Sequence, residues 1–404
     1  MSCVYCEPKS RIAMLSRSVS TRREYNPHPR SAPVRRSAAS RAGAIVPLLL
    51  KAPLVALTLL LAACTRAPST PLRLFPLEAV WETPLEGPVI PPLATDGARV
   101  FASDSAAGLL ALDSGTGALV WRAPELRGRL AASPEALYLL SPDGALWSLD
   151  PLNGRRRWRV ETGVSEGQAP VVADDAVVVA GRGAAAFDAL AGRRLWAASD
   201  GELAIAPPAL GGGLLLVSEV EGRLRCRDLS SGASRWLRFL GTELIAPPAV
   251  ADSGRVFIGT LQRSFLALDG REDGRTRWRW PVGTAIHHAA LPLRDRVVFA
   301  SLENVLYSLK SGSGDMVWRQ GLPSRPVAGP RLVGGALVLA TQEGHLLGFH
   351  PDTGRSLGSL RLEGEIAAPP IVVGDRFVAA LRTRSIVAVA ISGAAPETPL
   401  PPQP

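Results

Sequence analysis

Between Leu77 and Ala390 the hydrophobic positions fall in short runs, such as "LLLV" at 214–217 and "RVFIG" at 255–259, each cut off by Gly, Pro, Asp or Ser. No stretch sustains a 3.6-residue period long enough to demand a helix, so the runs read as strands joined by tight turns. One unit recurs: apolar-x-Leu-Asp-x-x-x-Gly-x-x-x-Trp, as in "LLALDSGTGALVW" from Leu109 and "LWSLDPLNGRRRW" from Leu146. It predicts a strand, then a turn in which Asp accepts backbone hydrogen bonds and Gly takes positive φ, then a strand opening with a large aromatic.

The unit is periodic over the whole body. Seven of the nine tryptophans, Trp81, Trp121, Trp158, Trp196, Trp236, Trp278 and Trp318, are spaced by 40, 37, 38, 40, 42 and 40 residues. Four residues before each from the second onward stands a glycine: Gly117, Gly154, Gly192, Gly232, Gly274 and Gly314. Eight before stands Asp113, Asp150, Asp188 or Asp228; an insertion displaces the fifth to Asp269, and the sixth position holds Lys310. Upstream in each unit is another strand pair, clearest in "IAPPAVADSGRVFIGT" (245–260), with Pro-Pro at a strand start where a missing N–H does least harm.

Four strands recurring at this interval cannot bury both faces unless neighbours stack on them. The expected fold is therefore all-β, an eight-bladed β-propeller of four-stranded antiparallel blades over 77–390. Eight sets of three inner strands begin near residues 88, 128, 168, 205, 245, 286, 326 and 366, and the last set lacks an outer strand. "LEAVWET" (77–83) supplies an outer strand with no inner ones, so the N-terminal strand is expected to close the ring on the last blade. The seventh blade has Leu357 or Gly358 where Trp belongs and is expected to pack less well. The tail 391–404 is Pro-rich and is expected to be disordered.

The leader changes the picture. Lys51 leaves a clean apolar segment of 12 residues, Ala52–Ala63, too short for a spanning helix but suited to a signal-peptide h-region. A longer transmembrane anchor starting near Ile45 is the alternative. Leu61-Ala62-Ala63-Cys64 resembles the bacterial lipobox, in which the cysteine thiol is lipidated and becomes the mature N-terminus. Residues 1–63 then form a signal peptide with a long basic extension, which an over-extended gene start would explain. Residues 64–76 form a tether on a lipid anchor at Cys64. Cys3, Cys6 and His28 are given no role.

Charge matters only by its placement. The net charge is +9, yet residues 1–63 carry ten basic and two acidic groups, and the rest carries 35 and 34. A near-neutral body removes the main support for nucleic-acid binding.

The repeat resembles that of quinoprotein-type propellers. Lipobox, tether and eight blades together, over 64–390, resemble the BamB family, lipoproteins of the outer-membrane β-barrel assembly machinery. That resemblance implies a non-enzymatic envelope scaffold facing the periplasm, with protein partners in the assembly complex and no cofactor. Thr65 after Cys64, rather than Asp, fits outer-membrane sorting. The family's docking loops diverge here, and none of their residues is carried over. A propeller binding another protein or a polysaccharide is the second reading. A quinone-dependent dehydrogenase is the last, because the chain lacks the adjacent cysteines of those enzymes. His287, His288, His345 and His350 read as loop, channel-rim or solvent-facing residues, Cys226 as a small core hydrophobe, and Trp147 and Trp280 as packing residues.

Overall fold

The computed structural model describes residues 77–391 other than 174. Eight antiparallel sheets follow one another along the chain, seven of them simple meanders. We number them blade 1 (89–123), blade 2 (129–161), blade 3 (171–203), blade 4 (209–239), blade 5 (249–281), blade 6 (291–321), blade 7 (331–361) and blade 8 (371–391 with 77–84). Blade 8 takes its outer strand from the other end: Leu77–Pro84 pairs antiparallel with Ser385–Ile391, with Trp81 opposite Ala388. Closure is as the orphan strands require.

Burial explains why the units cannot stand alone. The second strands are apolar on both faces, and Leu214–Glu219 and Ala336–Ala340 are buried along their whole length. The described residues form eight hydrophobic cores, and each lies between two neighbouring blades rather than inside one. The core joining blades 8 and 1 contains Trp81, Val100, Leu112, Val378 and Ala388, so the seam is packed like the rest.

Blade 3 keeps the four-stranded pattern, but its second and third strands run without a break over Ala176–Asp188: the chain reverses at Gly183 (φ +91), which brings the Ala189 N–H to the Asp175 carbonyl at 2.7 Å, and the outer strand Arg194–Leu203 extends far enough to pair Arg182 with Leu203. The Pro-Pro pairs of blades 4, 5 and 8 directly precede their first strands, which begin at Ala209, Ala249 and Ile371, whereas Pro91-Pro92 lies inside the strand Val89–Thr95 at a break in register. The looser packing expected of blade 7 needs correction. In blade 7 the tryptophan position is Gly358, opposite Gly348, yet the core between blades 7 and 8 holds thirteen buried residues, more than any other. Leu77, Phe377 and the flanking Leu357 fill that interface. Cys64, the tether and the tail after Ile391 lie outside the described residues.

Candidate functional site

The repeat residues named from sequence meet across blade boundaries. Each tryptophan donates its indole N–H to the carbonyl one residue past the Asp position of the next blade, from Trp81 to Ser114 (3.0 Å) through Trp318 to Pro351 (3.1 Å). Its ring lies under the turn glycine of that blade: Trp81 under Gly117, Trp121 under Gly154, Trp158 under Gly192, Trp196 under Gly232, Trp236 under Gly274, Trp278 under Gly314, and Trp318 under Gly354. Blade 7 has no tryptophan because blade 8 has no such turn; its third and fourth strands come from opposite ends of the chain.

The aspartates cap those turns. Asp113 Oδ1 accepts from the N–H groups of Gly115 and Thr116, Asp188, Asp228 and Asp269 do the same at their turns, and Asp150 accepts from the Leu152 N–H. Hydrogen bonds from Thr116 hold the Asp113 carboxyl below its usual range, and Ser230, Arg235 and Ser231 do so for Asp228. In blade 7 the cap is His350, whose Nδ1 accepts from the Asp352 N–H at 3.1 Å, a role its strand-flanking position did not reveal. These groups stabilise turns and converge on no common site.

A concave site lies elsewhere. The turn Ser141–Gly144 of blade 2, the connection 161–168 into blade 3, residues 203–205 leaving blade 3, and Ile90 and Arg129 on first strands enclose a groove of about 1050 Å³. Leu140, Val164, Ile90 and Ile205 give it an apolar floor. Its rim is polar and cross-linked: Gln168 donates to the Ala204 carbonyl (2.9 Å) and accepts from Arg129 (3.4 Å), while Arg159 meets Asp143 (3.3 Å) and Glu161 (2.7 Å). Glu166, at positive φ, projects to within 3.5 Å of Arg182.

Behind the rim, an ion cluster that joins the exposed Asp200 to two buried arginines fixes the extension of blade 3. Arg225 bonds Glu219 at 2.6 Å and reaches Asp200 at 3.3 Å, and Arg227 bonds Asp200 at 2.6 Å. Both arginines are buried, so Asp200 ties the outer strand of blade 3 to blade 4 three residues before Leu203 enters the groove. Burial favours the neutral Asp200 acid, but the two guanidiniums outweigh it and hold its carboxyl low.

Among the described residues, no histidine lines the groove. His288 Nε2 lies 3.0 Å from the Pro326 carbonyl and burial lowers its pKa, while His287 is lowered by burial and by Arg325. No three His, Cys, Asp or Glu side chains among the described residues are placed to hold a metal ion. Cys226 is buried in the core between blades 4 and 5, and Trp147 and Trp280 pack against cores. Sequence reasoning named none of the groove residues. The connection "ETGVSEGQAP" (161–170) has a single proline where blades 1, 4, 5 and 8 have an adjacent pair, but blades 6 and 7 lack the pair too, so no sequence signal marks the groove.

The family profile described as "Outer membrane protein assembly factor BamB" matches residues 78–238 and 237–398. Proteins of that name from Yersinia pestis and Burkholderia pseudomallei are 22% and 24% identical, over 73% and 64% of this chain and 83% and 84% of theirs. One from Legionella pneumophila is 28% identical over 41% of this chain, and the match spans 45% of its own length. Among solved structures, BamB from Moraxella catarrhalis is similar at a TM-score of 0.60 and 17% identity, covering 80% of this chain and 100% of that one. Quinohemoprotein alcohol dehydrogenase from Comamonas testosteroni is similar at 0.60 and 15% identity, covering 80% of this chain and 78% of that one, a likeness of fold alone.

Proposed function

The chain belongs to the BamB family of outer membrane protein assembly factors, and from that premise we propose that it is a non-enzymatic scaffold of the bacterial cell envelope. On this reading it is held at the membrane through lipidated Cys64, faces the periplasm, and binds the outer-membrane β-barrel assembly machinery to assist insertion of outer-membrane proteins. The observation that carries the binding role is the groove at blades 1–3, whose apolar floor and hydrogen-bonded polar rim suit a segment of a protein partner.

The fold shared with quinohemoprotein dehydrogenases raises a quinone and its calcium as candidates. The residues present do not fit them: the sequence has no adjacent cysteine pair, and the described residues offer no acidic or histidine trio for a cation.

Affinity capture of the full chain from cross-linked, detergent-solubilised membranes tests the proposal. Recovery of the barrel-assembly machinery supports it, and reproducible absence of that machinery, with the chain itself recovered, contradicts it.

A further inference from the structure

The turns between third and fourth strands are alike in backbone but not in what they present. Two residues past the Asp position, blades 1, 4 and 6 carry Gly115, Ser230 and Gly312, blade 5 carries Arg271, and blade 7 carries Asp352 two past His350. Blades 2 and 3 carry leucines there, Leu152 and Leu190, which are 61% and 81% exposed. A leucine held at the tip of a capped turn with no core to enter leaves its apolar surface in water, which burial against an apolar partner would relieve. It occurs here on two neighbouring blades.

The same two turns carry arginine pairs just past their glycines, Arg155-Arg156 and Arg193-Arg194, all exposed. None of the four forms an ion pair among the described residues, whereas neighbouring Arg157 is paired with Asp150 at 3.3 Å. Arg156 lies 5.7 Å from the ring centroid of Trp147, which orients its stem without neutralising it. Segments 150–157 and 188–195 have net charges of +2 and +1, while the matching segments of blades 1, 4, 5, 6 and 7 have −1, 0, 0, 0 and 0. The two turns are mechanically linked, because the outer strand that follows the first carries Trp158, whose ring supports Gly192 of the second.

Exposed apolar tips flanked by unpaired guanidiniums match a bilayer surface: leucines enter the headgroup boundary and arginines meet lipid phosphates. We propose that the paired turns of blades 2 and 3 form a peripheral docking site for an anionic membrane surface, which holds the propeller in one orientation. The inference rests on the membrane attachment proposed above but not on any protein partner.

The test is hydrogen exchange on the full chain reconstituted in phosphatidylcholine vesicles, with or without about one third phosphatidylglycerol. With the anionic lipid, amides of 150–157 and 188–195 slow by about tenfold while the other turns do not, and about 0.5 M salt reverses the effect. Replacing Arg155, Arg156, Arg193 and Arg194 by Gln abolishes the protection, each removed charge weakening contact by about fivefold. The double variant Leu152→Ser, Leu190→Ser also loses it with charge unchanged. All these positions are exposed, and an unaltered melting temperature verifies the fold. Equal protection in both vesicle types, protection spread over all blades, or protection of these turns only when the assembly machinery is added would each overturn the proposal.

Discussion

Trp81, on the N-terminal strand, lies directly beneath Gly117 of blade 1: a Cβ on that glycine would sit 2.5 Å from the indole, and the Trp81 N–H reaches the Ser114 carbonyl at 3.0 Å. The contact joins the first strand of the fold to the blade that follows it in the ring. Ring closure thus depends on the same clasp that joins six other pairs of blades.

Gly117 has φ +73, so Gly117→Ala adds backbone strain to a steric collision with an aromatic ring that is itself hydrogen-bonded. We expect a loss of about 2–4 kcal/mol in chemical denaturation. Gly97 also has positive φ (+94) but open space around it, so Gly97→Ala should cost only about 1 kcal/mol. Equal losses would mean that the clasp adds nothing.

What was legible in the sequence follows from what repeats. Trp, Asp and Gly recur because seven of the eight blade boundaries use the same clasp, and their period gave blade number and closure. Gly358 shows the limit: its meaning depends on blade 8 lacking a turn, which is a property of the ring and not of the unit. The groove was illegible because its lining comes from blades 1 and 2 and the connections into and out of blade 3, and the equivalent positions Ile90, Arg129, Gln168 and Ile205, although spaced at the blade interval, differ in residue type and carry no repeated motif. The longer outer strand of blade 3 depends on Asp200 meeting Arg225 and Arg227, a contact between blades that no local pattern signals.

Asp104 is buried at the end of a second strand, where its carboxylate accepts from the N–H groups of Gly87 (3.0 Å), Ala106 (2.7 Å) and Ala107 (2.9 Å). Burial raises its pKa, but these bonds outweigh burial and hold it below the ordinary carboxylate value. A depressed pKa in the folded state contributes stability that is present above the unfolded value, about 3.9, and is lost as pH falls through the folded value. Asp104→Asn should therefore cost about 1–3 kcal/mol at pH 7 and progressively less below about pH 4. Denaturation at both pH values checks this, and a pH-independent cost would contradict the assignment.

Burial pushes the Cys226 thiol up to about 12. At pH 8 the folded protein should leave it unmodified by a thiol reagent, while denaturant should expose it to rapid labelling. Peptide mass spectrometry distinguishes Cys226 from the other cysteines, and labelling of folded protein at the unfolded rate would show an open blade 4–5 interface.

Lipidation at Cys64 predicts that Cys64→Ser accumulates as an uncleaved precursor and takes up no labelled fatty acid. Normal labelling of the variant would reject that residue as the anchor.

A photo-cross-linking amino acid placed at Glu166, on the groove rim, tests the scaffold account most directly when compared in living cells with one at Phe239, which is exposed on the outer strand of blade 4. The account predicts a cross-link from position 166 to the barrel-assembly machinery and none from position 239. Cross-linking from position 239 alone, or from neither position at normal protein levels, would contradict it.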